Sequence, residues 1–175
     1  MVCTSARRIT VHTRSCARGM KLSLRAGGVI RSGPERTLID DYLKRANGLA
    51  RATGFTNIEE QQVDLRRAKS RSEETKLLMQ GLPQNSKVVI FDERGKTPTS
   101  RKISQHLSEW RNDGVSELVL VIGGADGFEP KDIPANAVKW AFGPQTWPHK
   151  MVRVMVSEQI YRALSILAGT PYHRD

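Results

Sequence analysis

The sequence predicts an α/β domain built on a mostly parallel sheet with helices on both faces. Three observations carry that prediction. Strand-like and helix-like segments alternate from residue 20 onward, the pattern of successive β-α units. The runs Val88-Val89-Ile90-Phe91 and Leu118–Ile122 are apolar without alternation, as strands covered on both faces are. The segments between them carry apolar residues at helical spacing and stop at glycines. At 175 residues the chain makes one domain with room for a substantial core.

The elements follow in order. Lys21–Ala26 alternates weakly and ends at Gly27-Gly28, a first strand. Ser32-Gly33-Pro34-Glu35 reads as a capping box, with Ser32 as N-cap and Glu35 three residues on. Leu38, Ile39, Tyr42, Leu43, Ala46 and Ala50 continue that helix, which stops by Gly54. Ile58–Val63 is a second strand. Ser70-Arg71-Ser72-Glu73 is another capping box, opening a helix through Leu77 and Leu78 to Gly81. Lys87–Asp92 is the third strand. Thr99 or Ser100 caps a helix with Ile103, Leu107 and Trp110 on one face, ending at Gly114. Glu117–Ile122 and Val138–Phe142 are the fourth and fifth strands.

The last helix spans about Lys150–Ala168. Val152, Val156, Ile160, Ala163 and Leu167 form one apolar face, and Gly169 and Pro171 end it. Arg153, Ser157, Arg162 and Ser165 fall on the other side, mixed with Val154 and Tyr161. That mixture predicts a second covering surface, such as a helix of another subunit.

In parallel sheets, ligands bind beyond the carboxyl ends of the strands. The loops after Asp92, Ile122 and Phe142 all lie there. Gly123-Gly124 permits close backbone approach, and Gly127 permits positive φ. The spacing is not the dinucleotide fingerprint, and no Walker lysine follows. Asp126 suits a ribose hydroxyl, a cationic ligand or simply a turn. Phe142–Pro148 holds two prolines, a glycine and Trp147, a stiff loop able to present backbone groups at fixed positions. A purely structural loop explains each segment equally well.

Composition narrows the class. The formal charge is +10, but Arg7, Arg8, Arg14 and Arg18 of the acid-free first 19 residues contribute four of those charges. The remainder fits either a nucleic-acid partner or a solvated basic surface. Cys3 and Cys16 fall in the same segment, so residues 20–175 can hold neither a disulfide nor a cysteine zinc site. That suits a reducing cytoplasm. The longest apolar run, Leu118–Ile122, is too short to span a bilayer, so no membrane association is expected. Residues 1–19 read as a disordered or non-native extension ahead of Met20, or as a transit peptide, which would make the location an organellar matrix.

Four histidines are present. His12 belongs to the extension, and His106 sits mid-helix among polar neighbours and is expected to be solvated. His149 opens the last helix, and His173 lies in the tail. None has metal-ligand spacing beside carboxylates, so no metal is expected. Tyr172-His173-Arg174 reads as a frayed end by position. By content it offers what a stacked, hydrogen-bonded base would use.

These residues resemble the ribosomal large subunit methyltransferase H family of the SPOUT, or α/β-knot, methyltransferases. The resemblance runs over residues 20–175. It is strongest in Leu120–Gly127, in Trp147-Pro148-His149 with Val152-Arg153-Val154, and in Glu158–Ala163 through Pro171–Asp175. It implies a deep C-terminal trefoil knot, which ordinary topology rules would not suggest. It also implies S-adenosyl-L-methionine as cofactor and an obligate homodimer. The implied reaction is N3-methylation of a pseudouridine in helix 69 of 23S rRNA, on the assembled 70S ribosome. The implied cofactor contacts are Phe91, Gly124, Gly143, Pro144, Gln145, Thr146, Trp147 and Pro148. His149, Arg153, Tyr172, His173 and Arg174 are the candidates to hold the base or assist its deprotonation. The competing readings are a related enzyme acting on tRNA by 2′-O-methylation, and a non-catalytic ribosome-binding factor.

Overall fold

The computed structural model describes residues 19–174. The expectation for the N-terminal extension, Gly19 apart, lies outside those residues. Among these residues there are five strands: β1 (Met20–Gly27), β2 (Phe55–Val63), β3 (Ser86–Lys96), β4 (Glu117–Ile122) and β5 (Val138–Trp140). Four helices join them: α1 (Pro34–Ala50), α2 (Arg71–Met79), α3 (Ser100–Asn112) and α4 (His149–Leu167). The sheet order is β2-β1-β4-β3-β5, and every pairing is parallel. The α/β class and the parallel sheet expected from the sequence are therefore present.

Side chains alternate across β3 and β4, as the two-residue period of a strand requires. Val88, Ile90, Val119 and Val121 point to one face and pack with Leu78 of α2 and with Phe128. Val89, Leu118, Leu120 and Ile122 point to the other and join α1, α3 and α4. Both faces are covered, which explains the uninterrupted apolar runs.

Local signals set the helix starts, with one correction. α1 does not use the Ser32 capping box. Its N-cap is Gly33 at φ 109°, with no side-chain cap. Pro34 occupies the first helical turn, and a proline bars the residue before it from helical geometry. The boundary is thereby fixed one residue beyond Ser32. Ser70 does cap α2, its Oγ accepting from the Glu73 N–H at 3.2 Å. The Glu73 carboxylate reaches back to the Lys69 N–H at 2.7 Å, one residue before the cap. Thr99 rather than Ser100 caps α3. β2 starts at Phe55, earlier than Ile58, because Phe55 is buried and registers with Met20. β5 ends at Trp140, so Ala141 and Phe142 belong to the loop.

α4 departs most from expectation. Arg153, Ser157 and Ser165, which fall outside the apolar face, are fully buried. The helix packs against both α1 and α3, so its covered surface is wider than one stripe. Ser104 of α3 donates to the Ala163 carbonyl at 3.0 Å, and Ser100 donates to Gln159 at 2.8 Å. α1 and α3 of the same chain thus cover α4 beyond its one apolar stripe.

Candidate functional site

β4 and β1 are neighbours, so their C-terminal glycines meet. A Cβ on Gly27 would lie 3.2 Å from the Gly124 nitrogen and 2.6 Å from Leu65 Cδ1. Beyond β4 the chain turns tightly, with the Gly127 N–H donating to the Gly124 carbonyl at 3.2 Å and Gly127 at φ 72°. Asp126 occupies the exposed tip of that turn. Glu74 lies behind it, its Oε2 buried with no hydrogen-bond partner and 2.6 Å from the Cβ position of Gly124.

This turn forms one wall of a cavity of about 460 Å³ at the carboxyl ends of β3, β4 and β5. That is the size and the place at which small ligands bind parallel sheets. The other walls are largely aromatic. Phe91 stacks on Phe142 with ring centroids 5.3 Å apart and meets Trp140 edge-on at 6.3 Å. Trp140 is held from behind by Trp110 and His106, at 5.8 and 6.0 Å. His106 therefore joins a three-ring stack while staying partly exposed and bonded to Glu109 at 3.1 Å.

The pocket floor depends on an irregularity in β3. Phe91 and Lys96 both register with Trp140, so residues 92–95 leave the ladder and return. The Ala141 N–H then donates to the Lys96 carbonyl at 2.8 Å. Asp92, Glu93 and Arg94 are carried over the cavity by this excursion. Gly95 makes it feasible, since a Cβ there would come within 2.5–2.7 Å of the Trp140 backbone.

The Gly143–Pro148 loop closes the far side. Gly143 adopts φ 120°, and a Cβ on it would meet Gln145 Oε1 at 2.5 Å. Thr146 donates to Glu93 at 3.3 Å, tying this loop to the β3 excursion. Of the residues expected at a cofactor, Phe91, Gly124, Gly143, Gln145, Thr146 and Trp147 line the cavity. Pro144 and Pro148 are outside the lining. Pro148 instead starts α4, its carbonyl accepting from the Val152 N–H at 3.0 Å.

The five expected reaction residues do not converge within one chain. His149 lines the cavity, half-buried, with Nδ1 buried and unpaired. Arg153, one turn further, is committed to the interior. Its Nη2 donates to the Gly27 and Gly28 carbonyls at 2.8 and 3.0 Å, and Nη1 faces Glu60 at 3.3 Å. Burial pushes its pKa down, opposed by the Glu60 carboxylate. At 0% exposure it cannot touch a phosphate, so its role is corrected to a brace between α4 and the β1 exit.

The tail is docked, not frayed. Tyr172 donates to Glu158 at 3.0 Å, and its ring centroid lies 4.5 Å from that of Tyr161. Arg162 covers the Tyr172 ring at 4.8 Å, pairs with Glu158 at 2.6 Å and reaches His173 Nδ1 at 3.4 Å. Arg174 is exposed. Residues 158–162 are roughly 14–20 Å along the α4 axis from His149. That helical rise separates the tail from the pocket of its own chain.

Burial and Glu158 together push the Tyr172 hydroxyl well above its ordinary value. A raised folded-state value means that tail docking is stabilised below pH about 10 and weakens as pH rises through that region. Tail fluorescence or proteolysis followed from pH 8 to 12 should show the tail loosening first. A tail that stays docked until the whole domain unfolds would contradict this.

Sequence reading missed Asp92–Gly95 because β3 was taken to stop at Asp92. The isolated Gly95 within a charged turn was the available signal. Among the described residues, no cluster of His, Cys, Asp or Glu could hold a metal, and no helix is long and apolar enough to cross a membrane.

The family model described as "Predicted SPOUT methyltransferase" matches residues 20–173. The Ribosomal RNA large subunit methyltransferase H of Maricaulis maris is 49% identical over 156 residues, 89% of this chain and 100% of that protein. The proteins of that name from Hyphomonas neptunium and Dinoroseobacter shibae are 42% and 43% identical, each over 89% of this chain and 99% of their own length.

Proposed function

The chain belongs to the SPOUT methyltransferases, and from that premise we propose that it methylates N3 of a pseudouridine in helix 69 of 23S rRNA, using S-adenosyl-L-methionine. The observation that carries this is the glycine-walled, aromatic-lined cavity in a chain so similar to large-subunit rRNA methyltransferases. The cavity fits the cofactor. Phe91, Trp140 and Phe142 suit a flat adenine, and the Gly124 and Gly143 backbones can approach it without side-chain interference. S-adenosyl-L-methionine supplies an electrophilic methyl group on a sulfonium.

The protein's own task is to present the base and hold the proton that N3 must lose. His149 is placed for that, because its ring lines the cavity. General-base help of this kind is worth about 10²–10⁴ in rate. The tail cannot reach this cavity from its own chain, so Tyr172, His173 and Arg174 can act on the base only from a second copy. A homodimer is therefore part of the proposal, as is the family's C-terminal knot. A ribosomal substrate fits a cytoplasmic enzyme, or one of an organellar matrix should residues 1–19 be a transit peptide.

The decisive experiment is incubation with 70S ribosomes and labelled methyl donor, followed by mapping of the modified nucleotide. Label on N3 of the helix-69 pseudouridine is expected. Label on tRNA, or donor binding without transfer to any RNA, would overturn the reading. His149→Ala and Arg174→Ala should each lower methylation about 10²-fold or more while leaving donor affinity nearly unchanged. Truncation after Gly169 should abolish transfer and leave the domain folded. Full activity of a truncated protein would remove the tail from the reaction.

A further inference from the structure

A second cavity, of about 520 Å³, lies on the other side of the Gly27-Gly28 turn. Arg31, Arg66 and Lys150 line it, opposed by one carboxylate, Asp64. Val29, 49% exposed, forms an apolar lip. Arg66 is held by Asp64 at 2.5 Å. Arg31 and Lys150 are exposed and make no ion pair among the described residues. Two uncommitted cations thus face one groove, and the exposed residues Arg67 and Lys69 follow Arg66 along the chain.

The two cavities share a thin partition. His149 lines the first, and the next residue, Lys150, lines the second. Gly28 of the second cavity has φ 83°, and a Cβ there would lie 3.5 Å from His149 Nε2. Leu65, also of the second cavity, has its Cδ1 3.2 Å from the Cβ position of Gly124 in the first. A ligand in the second cavity is therefore separated from the methyl-donor pocket by one imidazole and a glycine turn.

We propose that this cationic groove holds the RNA backbone beside the target nucleotide, with Arg31 and Lys150 on its phosphates, so that the base is fed past Gly28 to His149. Cations without internal partners suit phosphate, where binding releases counterions and no internal pair need break. The apolar Val29 lip suits a ribose or base edge. The inference rests on the RNA-methyltransferase reading and names the part of the protein that holds the substrate.

The test uses the full chain carrying Arg31→Gln and Lys150→Gln together. Binding to a pseudouridine-containing RNA stem-loop is followed across a salt series, and KM is measured on 70S ribosomes. A second variant, Lys44→Gln with Arg51→Gln, removes equal charge from exposed positions elsewhere. The groove variant should bind RNA about 10- to 100-fold more weakly, with the salt slope reduced by about 1 to 2. Its KM should rise with donor affinity unchanged by calorimetry, and the control should match the wild type. Equal losses in both variants would mean general charge attraction and overturn the inference. So would a fall in donor affinity, or an unchanged slope and KM in an active enzyme. Salt-dependent RNA binding that the groove variant loses, in a protein that methylates no RNA, would uphold the groove and overturn the proposed reaction instead.

Discussion

A Gly95→Ala variant is expected to lose methyl-donor binding by at least about tenfold, which corresponds to about 1.4 kcal/mol. The added methyl would meet backbone atoms of Trp140 at 2.5–2.7 Å. Backbone cannot rotate aside as a side chain does, so β3 and β5 must separate where the Ala141 N–H meets Lys96. Trp140 and Phe142 move with them, and with them two walls of the pocket. Overpacking of this kind costs about 1–3 kcal/mol of stability. Calorimetric titration with S-adenosyl-L-methionine and a thermal melt would check both effects. Gly124→Ala makes a useful contrast, because its methyl meets the movable ends of Glu74 and Leu65. It should be the milder of the two, and wild-type donor affinity in Gly95→Ala would refute the account of the β3 excursion.

The second large effect belongs to Arg153. Arg153→Ala should destabilise the domain by about 3–5 kcal/mol, as removal of one member of a buried ion pair does. The guanidinium is fully buried and satisfies the carbonyls of Gly27 and Gly28. Its loss removes a donor from each of those carbonyls and opens a void under α4. Glu60 would keep only Arg36, at 2.5 Å. A urea titration gives the magnitude. An RNA-contacting arginine would behave oppositely, with stability unchanged and salt-dependent RNA binding reduced, so the two roles separate cleanly.

Much of this architecture was legible from local pattern. Glu117–Ile122 was bounded correctly because both flanks carry breakers and every residue between is suited to a buried strand. Ser70 and Thr99 acted as caps because a hydroxyl three residues ahead of a free N–H finds that donor at short range. Phe91, Gly124, Gly143 and Gln145 to Trp147 do line one cavity, as loops at strand ends should. What failed was long-range. The pattern on α4 shows polar residues outside one apolar stripe, and nothing local says that Arg153 meets carbonyls 125 and 126 residues earlier in the chain. Nor does adjacency in motif guarantee adjacency in space. His149 and Tyr172 belong to one helix and its tail, and the helical rise keeps them apart.

The Arg153 brace has a consequence for when the enzyme comes into being. The exit of β1, among the first residues of the domain, acquires its partner only when α4 is in place. α4 also delivers His149 to the pocket and packs on α1 and α3. A chain still being synthesised holds the early strands but neither the brace nor a finished pocket. Contacts so distant along the chain slow folding, because the closure entropy must be met before they form. Donor binding should therefore arise late and all at once, only after α4 has been added to the folded sheet.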